Sequence, residues 1–229
     1  MRIRLLLATV LFVQVTSFAA DAKLRDDIKA DRVLFLGNSI TRHGVLEKIG
    51  WTTEWGMAAS AEEKDYVHLV ASALGELRGK KPEIHIKNIA DFERTLATYD
   101  INEMLKEAFA FKPDLVILAI GENVPGMKND ADKALLKGKV SELLAKLKEN
   151  SKPVIIVRGC FWTDKAKDEA LQQACASAGG TFVDISALGK DESNYARSER
   201  KFQHDGVAAH PGDKGMKAIA DAIVAAMKK

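Results

Sequence analysis

Short apolar runs alternate along the chain with apolar residues recurring at helical spacing. Val33-Leu34-Phe35-Leu36, bounded by Arg32 and Gly37-Asn38, reads as a strand buried on both faces. Strands are predicted over residues 32–36, 83–88, 114–120, 153–158 and 181–185. Helices are predicted between them. The segment 61–77 puts Tyr66, Val70, Ala73, Leu74 and Leu77 on one face. Residues 101–111 are helical, and Leu136, Val140, Leu143, Leu144 and Leu147 form a stripe ending near Asn150. Residues 165–177 make the next helix, and Met216, Ile219, Ala220, Ile223, Val224 and Met227 mark the last. Five strands alternating with helices imply an α/β protein with a parallel sheet covered on both faces. Two stretches break the alternation. Residues 42–60 hold Trp51 and Trp55, and residues 189–209 are rich in charge. Irregular segments of this length are generally functional or carry short elements of their own.

Ser39 follows the first strand directly, where open α/β sheets place their ligands. By local turn chemistry alone, Gly37 to Thr41 reads as a tight turn and helix cap. His210 lies near the other end of the chain, and an early serine with a late histidine supplies a nucleophile and its base. His68 and His85 fall inside helix and strand patterns. His43 and His204 are the remaining candidates for the base, by the requirement that a base reach the serine. Pro211 restricts His210 to extended or turn backbone. Asn123, after the third strand, either offers an amide to a developing oxyanion or holds the turn before Pro125-Gly126. Trp51 and Trp55 either line a sugar-binding surface or anchor their loop on the core.

Gly37-Asn38-Ser39-Ile40-Thr41 resembles the first block of the SGNH (GDSL-like) hydrolase superfamily, with asparagine in place of the usual aspartate. Gly121-Glu122-Asn123 resembles the third block, Gly-x-Asn, and His210-Pro211 the last. The matches fall in family order and span residues 33–216. The resemblance implies a three-layer α/β/α flavodoxin-like fold with a five-stranded parallel sheet in the order 2-1-3-4-5. It also implies a serine esterase working through an acyl-enzyme on Ser39, without metal or cofactor. The oxyanion donors would be the Ser39 backbone N–H, the Asn123 side chain and a backbone N–H of the second block.

That block is matched by Asn88-Ile89-Ala90-Asp91-Phe92-Glu93-Arg94, which has no glycine. Glu93 stands in the glycine's place, where its N–H can still donate. Its carboxylate opposes an oxyanion unless it turns away or pairs with Arg94. The family aspartate, three residues before the histidine, is replaced by Val207, and Asp205 lies five before. Either a bulge lets Asp205 reach the imidazole, or the enzyme is a Ser–His dyad with another acceptor, such as a backbone carbonyl. Asp213 reads as a helix-start residue.

Residues 1–20 have the layout of a secretory signal peptide: Arg2 and Arg4, an apolar run from Leu5 to Val15, then Ser17-Phe18-Ala19-Ala20 at the cut. The apolar run is shorter than the ~20 residues of a membrane span, and no cysteine follows it to carry a lipid anchor. The expected mature domain, residues 21–229, is periplasmic or extracellular. Its 32 Lys and Arg balance 32 Asp and Glu, which gives no electrostatic case for nucleic acid. Cys160 at a strand end and Cys175 eleven helical positions further along its helix lie ~16 Å apart, too far for a disulfide. The expected partner is a small-molecule or polysaccharide ester, acetylated polysaccharide being preferred. A lysophospholipase or thioesterase would use the same machinery. The second-block and aspartate departures also fit a catalytically inactive carbohydrate-binding protein on this fold.

Overall fold

The computed structural model describes residues 23–229, and the expected signal peptide lies outside them. The apolar runs form strands β1 (Arg32–Gly37), β2 (Glu83–Asn88), β3 (Leu115–Ala119), β4 (Val154–Arg158) and β5 (Thr181–Val183). All pair in parallel, in the order β2-β1-β3-β4-β5. The helices are α1 (Tyr66–Arg78), α2 (Ala90–Arg94), α3 (Ile101–Met104), α4 (Lys106–Ala110), α5 (Asp130–Ser151), α6 (Lys165–Ser177), α7 (Asp205–Ala208) and α8 (Asp213–Met227).

Side-chain alternation along each strand builds two cores. Val33, Phe35, Leu115, Ile117 and Ile156 face a layer that includes Tyr66, Val70 and Leu74 of α1 and Met216, Ile219 and Ile223 of α8. Leu34, Leu36, Val116, Leu118 and Val157 face the opposite layer, with Leu136, Val140 and Leu143 of α5 and Leu171 of α6. The three-layer α/β/α arrangement and strand order are those expected.

The chain leaves β1 toward β2 on one side and returns to β3 on the other. The carboxyl ends of β1 and β3 therefore flank the switch point at which such sheets bind ligands. Gly37 pairs with Ala119 there, so the residues following each strand emerge side by side.

Several boundaries differ from the sequence reading. Helix α1 starts five residues later than residue 61, because Asp65 caps it: its carboxylate accepts the His68 N–H at 2.8 Å. The helix expected over 101–111 is two short helices, broken at Leu105, whose backbone (φ −114°, ψ 18°) leaves the helical region as its side chain enters the core. Helix α2 was not anticipated. The charged stretch before His210 consists of short 3-10 turns and α7. Cys160 and Cys175 are both free and buried in the second core. Among the described residues no helix is long and apolar enough to cross a membrane.

Candidate active site

Gly37 ends β1 because only glycine fits: a Cβ would lie 2.8 Å from the Ala119 carbonyl oxygen and overlap the Thr41 side chain. The chain then turns tightly, with Thr41 and Arg42 N–H both donating to the Asn38 carbonyl at 3.0 Å. The Asn38 side chain is buried and its Oδ1 accepts the Ile40 N–H at 3.2 Å. Ser39 is thereby held half-exposed at the strand end. Its own N–H has no hydrogen-bond partner among the described residues.

The Ser39 Oγ lies 2.8 Å from His210 Nε2. His210 Nδ1 lies 2.7 Å from the Gly206 carbonyl oxygen. A carbonyl only accepts, so Nδ1 carries the proton and Nε2 presents its lone pair to the serine hydroxyl. Burial lowers the His210 pKa to about 4, a fall partly opposed by the Gly206 hydrogen bond. At neutral pH the ring is a neutral base in the tautomer that serine activation requires.

Gly206 is held by α7. The His204 ring caps this helix, its Nδ1 accepting the Gly206 N–H at 3.0 Å. The backbone N–H of His210 goes to Val207, so its side chain reaches the Gly206 carbonyl in that N–H's place. Asp205 occupies the first position of α7 with its side chain exposed, and it is not a hydrogen-bond partner of His210. The bulge that would have turned Asp205 toward the ring is instead a helical turn, and the geometry is that of a dyad completed by a main-chain acceptor.

Beneath Ser39 lies a buried polar network. Arg158, at the end of β4, donates from Nη1 to Glu122 Oε1 at 2.7 Å, with both side chains fully buried. Glu122 also accepts from Asn38 Nδ2 at 2.7 Å and from the Phe161 N–H at 2.9 Å. Burial alone would raise the Glu122 pKa, but Arg158 holds it below the usual carboxylate range. Glu93 points inward, away from the cleft. Oε1 accepts the Gly121 N–H at 2.6 Å and the Asn123 N–H at 3.1 Å, and Oε2 accepts Asn123 Nδ2 at 3.0 Å. Burial, with Glu122 nearby, raises the Glu93 pKa. Arg94 does not pair with it but donates to Asp91 and to Asn123 Oδ1. Of the Asn123 amide hydrogens, one is committed to Glu93, and the other has no partner among the described residues. Ser39, Asn123 and His210 thus share one site; Glu93 enters it as a buried support.

The cleft over Ser39 holds about 500 Å³ and is bordered by His43, Asn88, Asp91, Arg94, Asn123 and His204. Neither Trp51 nor Trp55 lines it. The two rings meet edge to face at 6.2 Å, and their indole N–H groups donate to the His43 and Ala59 carbonyls. Trp51 packs with Met57, Ala58, Ala196 and Val207. This small core joins the loop after Ser39 to α7 before His210, the packing that the anchoring reading of the tryptophans describes. The aromatic ring beside His210 is Trp162, edge to face with it at 5.1 Å. In the sequence its only signal is a second apolar stretch, Cys160-Phe161-Trp162, just past Arg158-Gly159 at the end of β4. Asp213 does start α8, and its carboxylate ties down Ser60 and Lys64. Among the described residues no cluster of His, Cys, Asp or Glu is placed to hold a metal ion.

By sequence the chain matches no protein-family model and no curated protein. Its structure is similar to a family two carbohydrate esterase from Cellvibrio japonicus, at a TM-score of 0.50 and 18% identity, over 85% of this chain and 59% of that one. It is also similar to a lipase/acylhydrolase from Enterococcus faecalis, at 0.56 and 14%, over 85% and 93% of the two chains. A third likeness is to an active-site mutant of a family two carbohydrate esterase from Clostridium thermocellum, at 0.54 and 14%, over 89% and 63%. The chain therefore spans about three fifths of each carbohydrate esterase and nearly all of the acylhydrolase.

Proposed function

The chain has the SGNH hydrolase fold, and on that premise we propose that it is a serine esterase whose nucleophile is Ser39 and whose base is His210. The observation that carries this is the 2.8 Å contact from Ser39 Oγ to a histidine nitrogen left bare by its Gly206 hydrogen bond. Ser39 Oγ attacks the ester carbonyl as His210 Nε2 takes its proton. The Ser39 N–H and the free Asn123 Nδ2 hydrogen receive the oxyanion. His210 then returns the proton to the departing alcohol. A water, deprotonated by the same nitrogen, hydrolyses the acyl-enzyme. The Gly206 carbonyl fixes the tautomer and faces the imidazolium with a dipole, the task a carboxylate performs in a triad.

The substrate we favour is an acetyl ester of a carbohydrate, acted on after export. The polar groups at the cleft, His43, Asn88, Asp91, Arg94 and His204 beside apolar Ile49, Met57, Ala90 and Val207, suit a hydroxyl-rich alcohol, and two of the similar structures are carbohydrate esterases. One observation favours a second reading as a lysophospholipase or thioesterase. A cleft of about 460 Å³ shares Arg94 with the site and is lined by Leu96, Val124, Pro125, Met127 and Leu135, which suits a longer acyl chain. The preformed Ser39–His210 pair counts against an inactive binding protein. Acetyl, butyryl and octanoyl nitrophenyl esters, assayed beside acetylated xylan, separate these readings. Highest kcat/KM on acetyl esters and release of acetate from the glycan are expected. A rise in kcat/KM toward octanoyl supports the second reading, and hydrolysis of none of them overturns both.

A further inference from the structure

Asn123 is gripped at both ends of its amide. Glu93 Oε2 accepts from Nδ2 at 3.0 Å, while Oε1 accepts the backbone N–H of the same residue at 3.1 Å. Arg94 Nη2 donates to Oδ1 at 3.0 Å. A carboxylate only accepts and a guanidinium only donates. A flipped amide would therefore set oxygen against oxygen and N–H against N–H, and one orientation is enforced. Glu93 is itself immobile: it is fully buried, and its Oε1 also holds the Gly121 N–H at 2.6 Å and Asn38 Nδ2 at 3.4 Å.

We propose that Glu93 and Arg94 are positioning residues that lock the Asn123 amide so that its free Nδ2 hydrogen points at the developing oxyanion. The inference rests on Asn123 as an oxyanion donor. A donor fixed before reaction needs no reorganisation at the transition state, whereas an unclamped asparagine at the cleft rim would sample several rotamers. Glu93 does its work without facing the oxyanion, since both of its oxygens are turned inward onto N–H groups.

A double-mutant cycle in kcat and KM tests this. Asn123→Ala should cost about 100- to 1000-fold in kcat, the usual loss for one oxyanion donor. Glu93→Gln sets an NH2 against Asn123 Nδ2 and should lower kcat about 10- to 100-fold, with KM changed less than about twofold, as expected for an interaction expressed in the transition state. Arg94→Met should lower kcat about three- to tenfold, and Arg94→Lys, which keeps a donor, should restore most of it. In the Asn123→Ala background both losses should disappear. Wild-type kcat in the Glu93 and Arg94 variants, or losses that add in full to that of Asn123→Ala, would overturn the clamp. If Glu93→Gln does not fold, the exposed Arg94 decides by the same criteria. A silent Asn123→Ala would instead remove the oxyanion assignment, and the clamp with it.

Discussion

Asp205→Asn should leave kcat within about tenfold of wild type. The proton on His210 Nδ1 is already accepted by the Gly206 carbonyl at 2.7 Å, so the substitution changes neither tautomer nor ring orientation. The Asp205 carboxylate is exposed at the start of α7. Two unit charges 4 Å apart in water interact by only about 1 kcal/mol, and an exposed carboxylate that makes no contact with the ring contributes less. Loss of an acidic residue from the first turn of α7 removes a further ~0.3–1 kcal/mol of helix-dipole stabilisation. Only part of that would reach Gly206. The sum stays under ~1.4 kcal/mol, or tenfold in rate. A carboxylate orienting the base would instead cost ~10,000-fold. The assay is kcat and KM on a nitrophenyl acetate, with His210→Ala as the severe control and far-UV circular dichroism to confirm the fold. A loss for Asp205→Asn as severe as for His210→Ala would refute the main-chain-acceptor reading.

The acid limb of kcat/KM should fall near pH 4, because His210 acts neutral and burial lowers its pKa to about 4; a limb near 6.5 would contradict this. The unfolded chain takes up that proton near pH 6.5, so His210 should lower stability progressively as pH falls from 6.5 to 4, by up to about 3 kcal/mol. Urea midpoints of wild type and His210→Gln at pH 7 and 4.5 measure this. Gly37→Ala should cost at least ~1–3 kcal/mol through overpacking against the Ala119 carbonyl and Thr41; an unchanged urea midpoint would show that the turn has room. Trp51→Ala should cost ~3–5 kcal/mol as a buried large-to-small change and lower the melting temperature, whereas an unchanged melting temperature with weakened glycan binding would restore the sugar-binding role.

The strands and both members of the Ser39–His210 pair were legible because their signals are local. Apolar runs bounded by charge and glycine specify β1 and β3, and Ser39 and Asn123 follow their ends by two and four residues. His210 was legible from Pro211 and the amphipathic helix behind it. The acceptor for its Nδ1 was not, because a backbone carbonyl has no residue type: Gly206 serves through its position in α7, and α7 depends on the His204 cap. The Glu93 carboxylate stayed open between turning away and pairing with Arg94 for a different reason: what holds it are N–H groups of Gly121 and Asn123, brought from the end of β3 only by the folded sheet. Trp51 and Trp55 carried no local signal that separated packing from binding. Their partners, Ala196 and Val207, lie about 140 residues or more further along the chain.

The nucleophile is the central claim, and covalent labelling with a fluorophosphonate, mapped by mass spectrometry, tests it most directly. The account predicts one adduct, on Ser39, formed by wild type and absent from Ser39→Ala, with that variant losing activity while its melting temperature stays nearly unchanged. No labelling of Ser39, together with more than about a tenth of wild-type kcat in Ser39→Ala, would contradict it.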